Sequence, residues 1–180
     1  MKKTIFFIIL IVALAISCEK DDICAEGTST TPRLVIDLYD ASSPEDLEYA
    51  SDLLIYGIGG DTDSVLTDYE IVDVNQLVLP LKTHESPTQF VLISDAYLDD
   101  NGTEDDDSDD FYDGSNWDTI TVGYVLSEEY VSRACGYRTI YTNITLTIES
   151  DDDNWLLSRT PLTDDQTIDD EDEAHFSITH

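Results

Sequence analysis

Three histidines, three cysteines and forty carboxylates are the side chains from which this 180-residue sequence could build a reactive site. Hydrolysis or acid–base catalysis needs a poised nucleophile or base with a partner that orients it. His84 sits in "KTHESP" among turn formers, and His175 and His180 lie near the C-terminus, so all three read as solvent-exposed. Neither GxSxG nor HExxH occurs. Forty acids place some carboxylate pairs at glycosidase-like separations by chance, so such pairing carries no signal. "GIGGDTDS" from Gly57 lacks both the GxGxxG spacing and a following lysine, and it reads as a turn. The side chains therefore predict no enzyme, with a hydrolase ranked last.

Hard cations are the next chemistry to test, because calcium takes oxygen ligands. An EF-hand loop fits neither glycine of the acidic stretch: Gly102 at the glycine position puts Tyr97 first, and Gly114 puts Phe111 third. Asp105, Asp107 and Asp109 remain as weak candidates for a water-assisted ion. No cofactor is expected beyond that calcium.

The cysteines divide by position. Lys2 and Lys3 precede twelve apolar residues, Ile5 to Ile16, and Ser17 is a small residue just before Cys18. That is a secretory signal, too short for a membrane-spanning helix of roughly 20 residues. Ala15-Ile16-Ser17-Cys18 resembles a lipobox, with Ala15 where leucine is commonest, and the resemblance implies cleavage before Cys18 and its lipidation. The rival is an ordinary secretory cut that leaves a free thiol. Three cysteines in an exported chain leave one over. With Cys18 lipidated, Cys24 and Cys135 remain to pair in an oxidising compartment. Neither a CxxC nor a CxxH spacing favours a metal instead. Glu19, Lys20, Asp21 and Asp22 resemble the surface-export signal of Bacteroidota-type lipoproteins, which implies display on the outer membrane, the periplasmic leaflet being the alternative.

Without residues 1–17 the chain keeps six basic residues against forty acidic ones, a net of −34. Nucleic acid and anionic lipid repel such a chain, so membrane affinity must come from the lipid. Half of the acids fall in three blocks: nine in Asp99–Asp113, four in Glu149–Asp153 and seven in Asp164–Glu173. Like charges so dense resist packing. The first block is expected as a loose loop, the second as a turn, the third as a tail.

What must position any site is β-structure. "RLVIDLYD" puts Leu34, Ile36 and Leu38 on one face; "DTITVGYVL" puts Ile120, Val122, Tyr124 and Leu126 inward. "YRTIYTNITLTIES" aligns Ile140, Ile144, Leu146 and Ile148, with Tyr137 and Tyr141 expected on the other face. "DLLIYGIGG", "QLVLPLKT" and "TQFVLISDAYL" are short apolar runs between turn residues. "SSPEDLEYASDLL" fits either a short helix capped by Ser43 or a loop. The period-two runs predict an all-β chain: one antiparallel β-sandwich of immunoglobulin-domain size, with a small barrel as alternative. The boundaries are a lipoprotein signal peptide (1–17), a lipid-anchored tether (18–30), an all-β domain (31–150) with an acidic loop (99–116), and an acidic C-terminal tail (151–180).

Two blocks, "DICAEGTSTTPRLVIDLYD" (22–40) and "VSRACGYRTIYTNITL" (131–146), resemble a family of Bacteroidota-type lipoproteins whose domain has no assigned function. The resemblance implies that Cys24 and Cys135 both belong to the family's pattern, and it supplies no catalytic residue. The leading expectation is a non-enzymatic accessory lipoprotein that engages another envelope protein, such as an outer-membrane barrel. The alternative is a surface ligand-binding module, calcium-supported or glycan-binding, using Trp117 and Trp155. The N-x-[ST] matches at Asn101 and Asn143 read as accidental.

Overall fold

The computed structural model describes residues 23–28, 30–59, 64–102 and 110–180. These contain eleven strands and no helix: β1 (Leu34–Tyr39), β2 (Ala50–Ile58), β3 (Ser64–Val74), β4 (Gln76–Leu79), β5 (Thr88–Ser94), β6 (Tyr97–Asp99), β7 (Phe111–Asp113), β8 (Asn116–Ser132), β9 (Gly136–Ile148), β10 (Ser158–Pro161) and β11 (Phe176–Thr179). A four-stranded sheet, β10-β11-β1-β4, faces a five-stranded one, β3-β2-β5-β8-β9, and β6-β7 is a separate hairpin. The chain is an all-β sandwich and not a closed barrel. Pairing is antiparallel throughout these sheets except between β1 and β11, which run parallel.

One core fills the space between the sheets. Leu34, Ile36 and Leu38 of β1, with Leu77 and Leu79 of β4, are wholly buried against Leu53, Ile55, Leu92, Ile120 and Val122 of the other sheet. Burial of each such side chain contributes about 1.5–3 kcal/mol relative to exposure. The alternation expected for β1 and β8 is the one observed. In β9 it breaks, because the β8–β9 register slips between Gly123 and Val125. The extra residue on β9 accompanies Asn143 at a φ of 52°, a left-handed conformation that asparagine tolerates better than most residues. Past this bulge the faces exchange. Tyr141, expected outward, is fully buried, while Ile140 is only half-buried. The Tyr141 hydroxyl donates to the Leu81 carbonyl at 3.2 Å, and its ring meets Tyr124 edge to face at 5.0 Å. Burial pushes the Tyr141 phenol up to about 12.

Residues 151–180, expected as an acidic tail, instead complete the four-stranded sheet. Phe176 and Ile178 of β11 enter the core beside β1, and Ile168 is buried against Tyr141. The acids of this stretch stay on the surface while Leu156, Ile168, Phe176 and Ile178 pack, so charge density did not decide the outcome. Arg33, just before β1, takes both carboxylate oxygens of Glu171, at 3.0 and 2.7 Å. "SSPEDLEY" forms a turn, with the Asp46 N–H donating to the Ser43 carbonyl at 2.8 Å, and no helix. Its chain is drawn back along β1 by a bond from the Glu48 N–H to the Leu38 carbonyl at 3.0 Å.

Candidate functional site

β8, at 17 residues, and β9, at 13, are the longest strands among those described. At about 3.3 Å per residue, β8 extends up to about 50 Å. Its turn, Arg133–Cys135, closes on Gly136 at a φ of 76°, and the Cys135 N–H donates to Ser132 Oγ at 3.0 Å. Cys135 is disulfide-bonded to Cys24, with Cα atoms 4.8 Å apart across 111 residues. The segment after Cys24 turns at Gly27 and returns along β9, where Thr31 Oγ1 accepts from the Thr139 N–H at 3.0 Å. Tyr130 and Tyr137 face each other across the two strands, 58% and 67% exposed, their rings edge to face at 5.3 Å. One row further in, Arg138 pairs with Glu129. Ile23, 81% exposed, lines an open concavity with Thr28, Tyr130, Val131 and Cys135.

A second aromatic group lies on the outer face of the five-stranded sheet. Tyr56 stands nearly parallel to Trp117, with centroids 6.5 Å apart, and meets Tyr112 edge to face at 6.5 Å. Beneath them Leu54, Ile93 and Ala96 form a small buried cluster roofed by Tyr112 of β7. The roof seats closely because residue 114 is glycine: a Cβ there would overlap Ile93 and lie 2.8 Å from the Ser94 carbonyl. The Tyr112 hydroxyl donates to Glu70, and Trp117 keeps 46% of its surface exposed.

Residues 52–180 match the Family of unknown function (DUF6452). The chain belongs to that family. The DUF6452 match begins within β2 and runs through β11, so it takes in Cys135, the long hairpin and the acidic C-terminal segment. Cys18, Cys24 and the whole of the block 22–40 precede it. No curated protein and no solved structure matches the chain.

Against this DUF6452 sandwich the expected site residues fall as follows. Cys24 and Cys135 are joined. Cys18 and the cluster Glu19, Lys20, Asp21 and Asp22 lie outside the described residues, as do Asp105, Asp107 and Asp109. Among the described residues no group of three or more His, Cys, Asp or Glu side chains is arranged to hold a metal. The histidines are not brought together. His84 is exposed in the β4–β5 loop, while His175 and His180 flank β11.

His175, expected exposed, is 4% exposed. Its Nδ1 accepts from the Val35 N–H at 3.0 Å, and the His175 backbone N–H donates to the Val35 carbonyl at 2.9 Å. Burial lowers its pKa, against the opposing pull of Asp170. His180, also expected exposed, is half-buried and meets Trp155 edge to face at 5.4 Å. Trp155 packs against the core, whereas Trp117 is the exposed member of the pair.

Asp118 is wholly buried, its pKa raised by burial, and its Oδ2 accepts from the Leu156 N–H at 2.8 Å. It fastens the turn after β9 to the start of β8. The Tyr124 hydroxyl is similarly occupied. The single Tyr124 hydroxyl proton goes to the Lys82 or Glu85 carbonyl, so toward Thr88 Oγ1, which itself accepts from the Lys82 N–H, Tyr124 is the acceptor.

The sequence placed Tyr137 only by its face and pointed to neither Tyr130 nor Tyr56 as a site residue. The first two carried a signal, since "YVSRACGY" places a tyrosine symmetrically on either side of a cysteine-bearing turn. Tyr56 gave none, because its ring becomes part of a surface only after β5 sets β2 beside β8.

Proposed function

We propose that this chain is a non-enzymatic lipoprotein of the cell envelope, anchored through acylated Cys18 and displayed on the outer membrane, where its sandwich engages another envelope protein such as an outer-membrane barrel. One observation carries the reading: the disulfide uses Cys24 and Cys135, so the third cysteine, at the end of a secretory signal, is left for another fate. The use of His175, Asp118 and Tyr124 as internal fasteners supports the non-enzymatic part, since groups of catalytic type are committed to the fold. Glu19, Lys20, Asp21 and Asp22 support surface display over the periplasmic leaflet. In-cell crosslinking of the tagged full chain tests the reading. One reproducible envelope protein recovered with it is expected; recovery of no envelope protein above an untagged control would count against an accessory role.

The Tyr56–Trp117 pair favours a second reading, a glycan-binding surface module, because an exposed Trp117 backed by a nearly parallel, half-buried Tyr56 suits the apolar face of a sugar. A glycan whose retention is lost in Trp117→Ala but kept in Trp155→Phe would favour it. A melting temperature raised by calcium would add the ion to that reading.

A further inference from the structure

We propose that the tip of the β8–β9 hairpin, with Tyr130, Tyr137 and Ile23, is a lipid-facing surface that rests in the headgroup region of the bilayer holding the anchor. The proposal rests on acylation of Cys18 and adds to it an orientation and a contact.

Reach is the first argument. Cys24 lies six positions beyond Cys18, and an extended chain covers at most about 3.6 Å per residue, so Cys24 lies within about 22 Å of the acylated residue. Through the disulfide the same limit holds the Arg133–Cys135 turn close to the membrane. The other end of β8, Asn116, stands up to about 50 Å away along the strand. Asn116 follows β7, so the acidic block Asp99–Asp113 departs from the far end of the same strand.

Chemistry is the second. Tyr130 and Tyr137 are large, more than half exposed and paired with each other. A tyrosine's apolar body and polar tip suit the membrane–water interface. Ile23, at 81%, adds the most exposed large apolar side chain among the described residues.

Charge is the third. In a chain of net −34 after signal removal, residues 130–137 contain no acid, and their one charged residue is Arg133. The nearest acids set a margin: Glu129 is paired with Arg138, whose guanidinium also donates to the Asp169 carbonyl at 2.8 Å, while Glu128 and Glu26 are exposed. An anionic surface therefore repels this tip less than it repels the acidic end.

The test is hydroxyl-radical footprinting of the full-length, membrane-extracted protein, reconstituted into phosphatidylethanolamine–phosphatidylglycerol vesicles and compared with the Cys18→Ser chain mixed with the same vesicles. Oxidation is read by mass spectrometry at Tyr130, Tyr137, Tyr97 and Phe111. Several-fold protection of Tyr130 and Tyr137 is expected in the acylated protein, with Tyr97 and Phe111 unchanged. Equal oxidation of Tyr130 and Tyr137 in both samples, with the acyl mass present on the Cys18 peptide, overturns the lipid contact and leaves the anchor standing. A Cys18 peptide without acyl mass overturns both. Protection found in native envelopes but not in these protein-free vesicles assigns the tip to a protein partner and also overturns the proposal.

Discussion

The described chain is fastened near its two ends by different physics. Near the N-terminus, Cys24 is exposed, sits outside any strand and is held by one covalent bond to a hairpin tip. At the C-terminus, β11 has no covalent tie; Phe176 and Ile178 are buried and the strand adds in parallel to β1. The first fastening restrains the chain without adding to the core, and the second is part of the core itself. Removing the second should therefore unfold the domain, whereas removing the first should weaken it.

The largest effect is expected from truncation after Glu173. It strips His175, Phe176 and Ile178 and leaves one edge of β1 without a partner, so the cooperative thermal transition should vanish. Phe176→Ala is the graded version, expected to cost about 3–5 kcal/mol in urea unfolding. A truncated chain that still melts cooperatively near the full-length temperature would show that β11 is an appendage.

Next comes the covalent fastening. The paired substitution Cys24→Ser, Cys135→Ser opens a loop of 111 residues. In the chain-entropy account such a loop is worth about 4–5 kcal/mol, and measured losses run about 2–5 kcal/mol. The double mutant should fold with a lower urea midpoint and an intact core. Equal midpoints would mean that the reduced chain already holds the tether against β9, through contacts such as the Thr139–Thr31 bond.

These two fastenings also differed in how far the sequence showed them. The disulfide was legible because counting three cysteines, with Cys18 read as lipidated, leaves only Cys24 and Cys135 to pair. The alternation in β1 and β8, and with it the sandwich, was legible because Leu34 to Leu38 and Ile120 to Leu126 keep strict period two. β11 was hidden. Its "FSIT" is four residues long and follows seven acids within ten positions, and its value comes from β1, some 140 residues earlier. Tyr141 was misplaced for a related reason, since the bulge at Asn143 moves every preceding residue of β9 to the other face. Both are non-local or conformational facts that composition does not encode.

A smaller effect separates the fastenings by pH. His175 must be neutral at Nδ1 to accept from Val35, and burial lowers its pKa below the ordinary 6.5. The unfolded chain then binds the proton more readily than the folded one, so this contribution is fully present above pH about 6.5 and is lost as pH falls toward the folded-state value. The melting temperature should drop on going from pH 7.5 to pH 6, and the drop should shrink in His175→Gln. The same scan compared between wild type and the disulfide mutant should show parallel slopes, because a disulfide does not titrate. An unchanged slope in His175→Gln would locate the titrating group elsewhere.

The smallest effect on stability is expected at the tip itself. Tyr130 and Tyr137 meet edge to face, and an aromatic pair of this kind is worth about 0.5–1.5 kcal/mol when well packed. At 58% and 67% exposure little burial accompanies it, so Tyr130→Ser, Tyr137→Ser together should cost below about 1 kcal/mol. The disulfide one turn away should still form, as non-reducing peptide mapping would show. A large loss of stability would make the pair a structural clasp for the end of the long hairpin and remove the reason to look outside the molecule for what it meets. A negligible loss leaves two large apolar rings exposed beside the tether with no structural work to explain them, and an external surface then becomes the natural account of their position.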